Sequence, residues 1–246
     1  MLQFQAERSM QFKGVVPVDK PVGVSSHTVV SWARKHLDIQ KIGHTGTLDP
    51  LASGILILLI GREATVLQDT YLKQDKEYEC TMRLGVGTDT LDCTGEVTER
   101  QSWDQVKTIT KKQVTTAIAA FVGDQRQLVP VYSAIKFHGR KLYDLARQGR
   151  AMPKKMPERT ISLYSLSLLD FHKAAKAQTL TVTFRVHCSS GTYVRVLAQD
   201  IGKKLGLAAT VTALRRTRIG TLSLSDIEIC PLIPKEFYLF ENTPQI

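Results

Sequence analysis

Apolar positions fall in short runs whose spacing changes along the chain. Gly14–Asp19 predicts a short strand. Ser25 or Ser26 then offers a cap for a helix with Val29, Val30, Ala33 and Leu37 on one face. Ile55–Ile60 is continuously apolar between Gly54 and Gly61, as in a buried strand. Tyr78–Leu84 alternates imperfectly and predicts another strand. Thr110 and Gln113 form a capping-box pattern ahead of Val114, Ile118 and Phe121, so a helix begins there. Leu180, Val182, Phe184, Val186 and Cys188 alternate strictly with polar residues, the mark of a half-buried strand. Val194, Leu197, Ala198, Ile201 and Leu205 keep helical spacing between a Thr192 N-cap and a Gly206 stop. Leu222, Leu224, Ile227 and Ile229 suggest a last, irregular strand. Strands outnumber helices without alternating with them. The predicted class is therefore α+β (mixed α/β), a mostly antiparallel mixed sheet with packed helices.

At 246 residues the chain suits one large domain or two small ones. Its longest apolar run, the six residues Ile55–Ile60, is far too short to span a bilayer as a helix. The opening MLQFQAERSM lacks the basic start and apolar block of a secretory signal. The four cysteines (Cys80, Cys93, Cys188 and Cys230) form no C-x-x-C pair, and such sparse usage favours a reducing cytoplasm. No two histidines are spaced to share a helix face, so a metal site is not expected.

Charge sharpens this picture. The formal net charge is +10, which favours a polyanionic partner. It is concentrated in two stretches. Lys136–Arg159 has eight basic residues against two acidic ones: Lys136, Arg140, Lys141, Arg147, Arg150, Lys154, Lys155 and Arg159. Arg195–Arg218 has six against one, including Arg215, Arg216 and Arg218. Clusters of this kind are the footprint of phosphate-backbone binding, and Phe137 and Tyr143 interleave with the first and could stack on bases. The plainer alternative is a solvated basic surface. Pro153 and Pro157 punctuate the far end of the first cluster, which reads as an arm inserted at about residues 124–159.

The densest motif is Gly43-His44-Thr45-Gly46-Thr47-Leu48-Asp49-Pro50-Leu51-Ala52-Ser53-Gly54. Asp49 followed by Pro50 predicts a helix start, with Gly54 stopping it after about one turn. Asp49 would then sit at a loop–helix junction just before a buried strand, either as a mere cap or as a working carboxylate. The loop is no phosphate cradle of the G-x-x-x-x-G-K-[ST] type. Asp92-Cys93-Thr94-Gly95 lacks the partner motif of an aspartic protease and reads as a turn. Arg195 falls in the first turn of its helix, where the macrodipole disfavours a cation, so an anionic partner is expected nearby. If that partner were a carboxylate, the pairing would keep it ionised and able to act as a nucleophile.

These residues resemble the TruB-type pseudouridine synthases. The signature around Asp49 is joined by Val18-Asp19-Lys20-Pro21, Asp75-Lys76-Glu77-Tyr78, Gly87-Thr88-Asp89-Thr90, Tyr132-Ser133-Ala134-Ile135-Lys136, Gly191-Thr192-Tyr193-Val194-Arg195 and Leu214-Arg215-Arg216, in that family's order. The resemblance runs from about Gly14 to Arg218. It implies the pseudouridine synthase fold and isomerisation of uridine-55 in the T-loop of tRNA, without cofactor or metal. It implies Asp49 as the essential residue, Tyr78 stacked on the target base and Arg195 paired with the aspartate. His44, Tyr193, Leu214 and Lys20 would line or adjoin the uridine pocket. Lys136, Arg140, Lys141, Arg147, Arg215 and Arg216 would contact RNA. The 30 residues after Arg216 are too few for the small PUA-type RNA-binding domain of bacterial members, so one catalytic domain over 1–246 is expected, needing no obligate protein partner. The alternatives are the catalytic subunit of an RNA-guided particle and a non-catalytic RNA-binding protein.

Overall fold

The computed structural model of the protein describes residues 14–226, apart from 138, 149–152 and 154. In chain order the first elements are β1 (Gly14–Lys20), α1 (Ser26–Leu37), β2 (Ile42–Thr45), β3 (Ala52–Ile60), α2 (Arg62–Thr65), α3 (Gln68–Leu72) and β4 (Lys76–Leu84). There follow β5 (Val86–Thr88), β6 (Val97–Arg100), α4 (Trp103–Val106), α5 (Lys111–Ala119), β7 (Gly123–Leu128), β8 (Lys136–Phe137), β9 (Arg140–Lys141) and α6 (Leu142–Arg147). The last are β10 (Glu158–Ala174), β11 (Thr179–Cys188), α7 (Val194–Lys204), β12 (Ala209–Ile219) and β13 (Leu222–Ser223), then a 3₁₀ turn over Leu224–Asp226. The described residues form two compact units, one of 14–79 together with 213–226, the other of 80–212.

In the first unit, β3 is buried along all nine residues because both its edges are paired. β1 runs antiparallel along one edge, from Gly14 opposite Ile60 to Lys20 opposite Gly54. The other edge is shared: β2 lies antiparallel from Ile42 opposite Ile60 to Thr45 opposite Ile57, and β12 lies parallel from Leu214 opposite Ala52 to Arg216 opposite Gly54. Ile55, Ile57 and Leu59 pack with Ala64 and Ile219 on one face. Side chains of this kind stabilise by roughly 1.5–3 kcal/mol each when fully buried, so this strand is a rigid base for what precedes it. α1 is capped by Ser25, whose hydroxyl accepts from the Thr28 amide.

The expected helix at Asp49–Pro50 does not form. The Ala52 amide donates to the Asp49 carbonyl at 3.0 Å, which closes a β-turn. Asp at the first position and Pro at the second serve a β-turn as well as a helix start, and here the edge-paired strand claims Ala52 onward. Gly54 therefore lies inside β3, not at a helix end, with φ of 99°.

In the second unit, β10 and β11 form a long antiparallel pair, and β7 pairs the other edge of β10 from Glu158 opposite Leu128 to Leu163 opposite Gly123. β11 alternates as its sequence predicted, and α5 carries the expected capping box from Thr110 and Gln113, ending at Ala119 short of Phe121. α7 begins one residue later than expected, because Tyr193 takes the cap position and the Thr192 hydroxyl donates instead to the Ser189 carbonyl. Since 124–128 and 158–159 belong to the sheet, the excursion is narrower than expected and spans 129–157. Its hairpin of β8 and β9 and helix α6 surround a small apolar centre of Val129, Leu142 and Leu145, against which Ile135, Phe137, Met156 and Tyr193 pack. Among the described residues, the expected late strand is represented by the two residues of β13. Ile227 and Ile229 lie outside the described residues, as does the whole tail from 227.

Candidate active site

Three strands meet in register in the first unit. Gly54 has Lys20 opposite it on β1 and Arg216 opposite it on β12. Directly paired residues project to the same face of a sheet, so two long cations flank a residue with no side chain. Both are enclosed, Lys20 at 0% and Arg216 at 1% exposure. A Cβ at Gly54 would fall 2.2 Å from the Arg216 carbonyl oxygen, and this close approach requires glycine.

The signature loop lies over this base. Ser26, freed from capping by Ser25, sends its buried hydroxyl to the loop: it donates to the Leu48 carbonyl at 3.0 Å and accepts from the Leu48 amide at 2.9 Å. The Gly23 amide donates to the Pro50 carbonyl at 2.8 Å. Asp49 is thus fixed on both sides while its side chain stays partly accessible. An acid held this way can meet an incoming nucleotide without moving its backbone.

The electrostatics around it are those of a buried charge cluster. The Lys20 ammonium donates to the Pro21 and Val24 carbonyls at 2.8 and 2.7 Å. Burial lowers its pKa from 10.5 to about 7; the Asp49 carboxylate opposes that drop, the Arg216 guanidinium adds to it and Asp19 opposes it. Arg216 Nε donates to the Ile55 carbonyl at 2.7 Å and Nη2 to the Gly46 carbonyl at 2.9 Å. Its guanidinium lies 6.0 Å from the centre of the Tyr78 ring, within cation–π range. Arg215 points elsewhere, to Asp19 at 2.6 Å and to the Ser53 hydroxyl at 3.1 Å. The first unit therefore brings together Lys20, Asp49, Tyr78 and Arg216. His44 stands on β2 opposite Leu58, and Leu214 on β12 opposite Ala52. Arg216, expected on RNA phosphates, is instead turned into the protein.

In the second unit, Arg195 is held at 5% exposure by carbonyls of Thr90 and Tyr132 and by the Asp92 carboxylate at 3.7 Å. Asp92 itself accepts from the Thr94 amide, the Thr94 hydroxyl and the Thr90 hydroxyl. The sequence reading placed Asp92 in a turn and missed its role as a carboxylate partner of Arg195. Arginine in a first helical turn was the available signal, but it named no partner. Tyr193 exchanges backbone hydrogen bonds with the Gln127 amide side chain, and the Arg159 guanidinium lies 5.0 Å from its ring centre. Lys136 and Arg140 are exposed. Among the described residues no group of three or more His, Cys, Asp or Glu could hold a metal ion, and no helix is long and apolar enough to cross a membrane.

The first unit thus holds a partly accessible aspartate on a fixed turn, a buried lysine and arginine near it, and a tyrosine against the arginine. Residues 34–194 match the profile of the TruB family pseudouridylate synthase (N terminal domain), and the chain belongs to that family. It is 43% identical over 224 residues to tRNA pseudouridine synthase B of Dechloromonas aromatica, covering 88% of this chain and 71% of that protein. It is 46% identical to tRNA pseudouridine synthase B of Burkholderia pseudomallei, covering 86% of this chain and 66% of that one. Among solved structures it resembles a Cbf5-Nop10-Gar1 complex (31% identity, TM-score 0.64) across 88% of this chain and 51% of that one. It also resembles an H/ACA RNP bound to a substrate RNA containing 2'-deoxyuridine (29% identity, TM-score 0.61) across 89% of this chain and half of that one.

Proposed function

We propose that the protein isomerises uridine-55 in the T-loop of tRNA to pseudouridine. The observation that carries this reading is Asp49, accessible on a turn pinned by Ser26 and Gly23, with the Tyr78 ring backed by a guanidinium in the same unit. The reaction detaches uracil from its ribose, rotates it and rejoins it through C5, so the glycosidic C–N bond breaks, a C–C bond forms, the C5 proton leaves and the freed N1 ends with a proton. Asp49 is the essential group, either on the sugar, on the base or as the initiator of proton removal at the sugar. Tyr78 stacks on the base and takes the C5 proton, as the family resemblance supports. The family resemblance supports His44, Tyr193 and Leu214 as uridine-binding residues, with Lys20 as a further one. The family resemblance supports Arg195 as counterion of the aspartate.

The target base must leave its stack to react, at a cost of a few kcal/mol. Basic side chains of the excursion, Lys136, Arg140, Lys141 and Arg147, offset that cost by holding the RNA backbone of the T-arm. A reducing cytoplasm suits the sparse cysteine usage, with no C-x-x-C pair.

The test is pseudouridine mapping in a naked tRNA transcript treated with the pure protein and with Asp49→Asn. The wild type is expected to modify position 55 unaided, which also separates this reading from that of an RNA-guided subunit. The variant is expected to make none while binding tRNA within about tenfold, roughly 1.4 kcal/mol. Pseudouridine formed by Asp49→Asn would overturn the assignment of the aspartate.

A further inference from the structure

A cation inside a sheet is costly unless its donors are met, so an enclosed arginine in β12 asks for a reason. Its two acceptors are informative. Gly46 lies three residues before Asp49 and Ile55 six residues after it, and one guanidinium donates to the carbonyls of both, at 2.9 and 2.7 Å. A single planar fork therefore spans the two ends of the segment that carries the Asp49 turn. The fit is close on the loop side. Gly46 has φ of 66°, and a Cβ there would come within 3.3 Å of Arg216 Nη1. The same guanidinium stands over Tyr78 at 6.0 Å.

We propose that Arg216 is a positioning residue of the isomerisation, fixing the Asp49 turn through the Gly46 and Ile55 carbonyls while backing the ring of Tyr78. It acts through those groups and contacts no RNA. The proposal rests on the function proposed above and adds to it a residue that holds the acid and the aromatic ring in one arrangement. Lysine cannot replace it, because a point charge on a flexible stem lacks the fixed fork that serves two carbonyls at once.

The experiment compares wild type, Arg216→Lys, Gly46→Ala and the double variant. It measures turnover of a tRNA transcript, tRNA affinity against salt, and backbone hydrogen exchange of the 43–51 segment. Arg216→Lys is expected to lose about 10- to 100-fold in rate, the scale of a small misplacement of reacting groups. Its tRNA affinity and salt slope should stay as in the wild type while the 43–51 amides exchange faster. Gly46→Ala disturbs the same contact while keeping the guanidinium, so it decides the matter if Arg216→Lys does not fold. The double variant should be no slower than the slower single one, since both break one junction. Full turnover by Arg216→Lys, additive losses, or a fall in affinity with a shallower salt slope would overturn the proposal. A wild type that makes no pseudouridine would defeat the proposed function instead, and hydrogen exchange would still decide whether Arg216 holds the turn.

Discussion

The two basic stretches carry almost the same charge excess, yet the second turns two of its arginines inward. Lys136 and Arg140 stand exposed on a short hairpin, whereas Arg195 and Arg216 are enclosed at 5% and 1%. The difference lies in the element that carries each charge. On the two-residue strand β8, Phe137 takes the inward face and Lys136 is left outside. β12 is paired to β3 along Leu214–Arg216, so its side chains must alternate between faces, and Arg216 faces in while Arg215 reaches a half-exposed Asp19. Charge count sets the field a protein presents to RNA, but strand register decides which charges reach it.

The inward set makes the strongest prediction. Lys20 has a folded pKa of about 7 against 10.5 when unfolded. Between those values the unfolded chain holds a proton that the native amine has lost, so stability rises with pH across the window. The contribution is present above pH 10.5 and is lost as pH falls toward 7. One proton gives a slope of about 1.4 kcal/mol per pH unit. The neutral amine still has hydrogens for the Pro21 and Val24 carbonyls. Urea unfolding of wild type and Lys20→Met between pH 7 and 10 should therefore show the wild type's advantage growing with pH. Parallel curves would mean that Lys20 is solvated as an ordinary lysine.

Next in size is the glycine between the two buried cations. Gly54→Ala places a methyl 2.2 Å from the Arg216 carbonyl and forces alanine to a φ of 99°. Overpacking and left-handed strain together should cost about 3 kcal/mol or more. Thermal melting is the measure, and a stability within about 0.5 kcal/mol of wild type would mean that β12 and β3 can part at this point, which would remove the basis for an inward Arg216.

The contrast also explains what was legible beforehand. β3 showed itself as an unbroken apolar run, β11 as strict alternation, and α1 and α5 by their caps, because local burial and capping write themselves into neighbouring residues. β10 was silent: most of its outer residues are exposed and polar, and its pairing with β7 and β11 is long-range. β12 was silent for another reason, since its buried positions include Thr210 and Arg216, which read as surface. The Asp49 motif was visible as a motif, but Asp-Pro suits a turn and a helix alike, and only the pairing of β3 selects the turn. Ser26 looked like one of two possible caps, and its grip on Leu48 could not be read without the fold.

The smallest expected effect belongs to the outward side. If Lys136 and Arg140 neutralise phosphates, the double variant Lys136→Ala/Arg140→Ala should weaken tRNA binding by about tenfold at moderate salt, roughly 1.4 kcal/mol. The slope of log affinity against log salt should also fall by about 1.4 to 1.8, the release expected for two contacts. Arg215→Ala is the internal comparison. Its guanidinium is already engaged by Asp19 at 2.6 Å and by Ser53, so less of its charge is free for RNA, and its loss should move the slope by less than about 1. Stability of that variant should change by at most about 1 kcal/mol, as for other partly exposed ion pairs. If Arg215→Ala changed the slope as much as the hairpin pair, the division between inward and outward charge would have to be redrawn within β12 itself, with Arg216 still enclosed and its neighbour released to the nucleic acid.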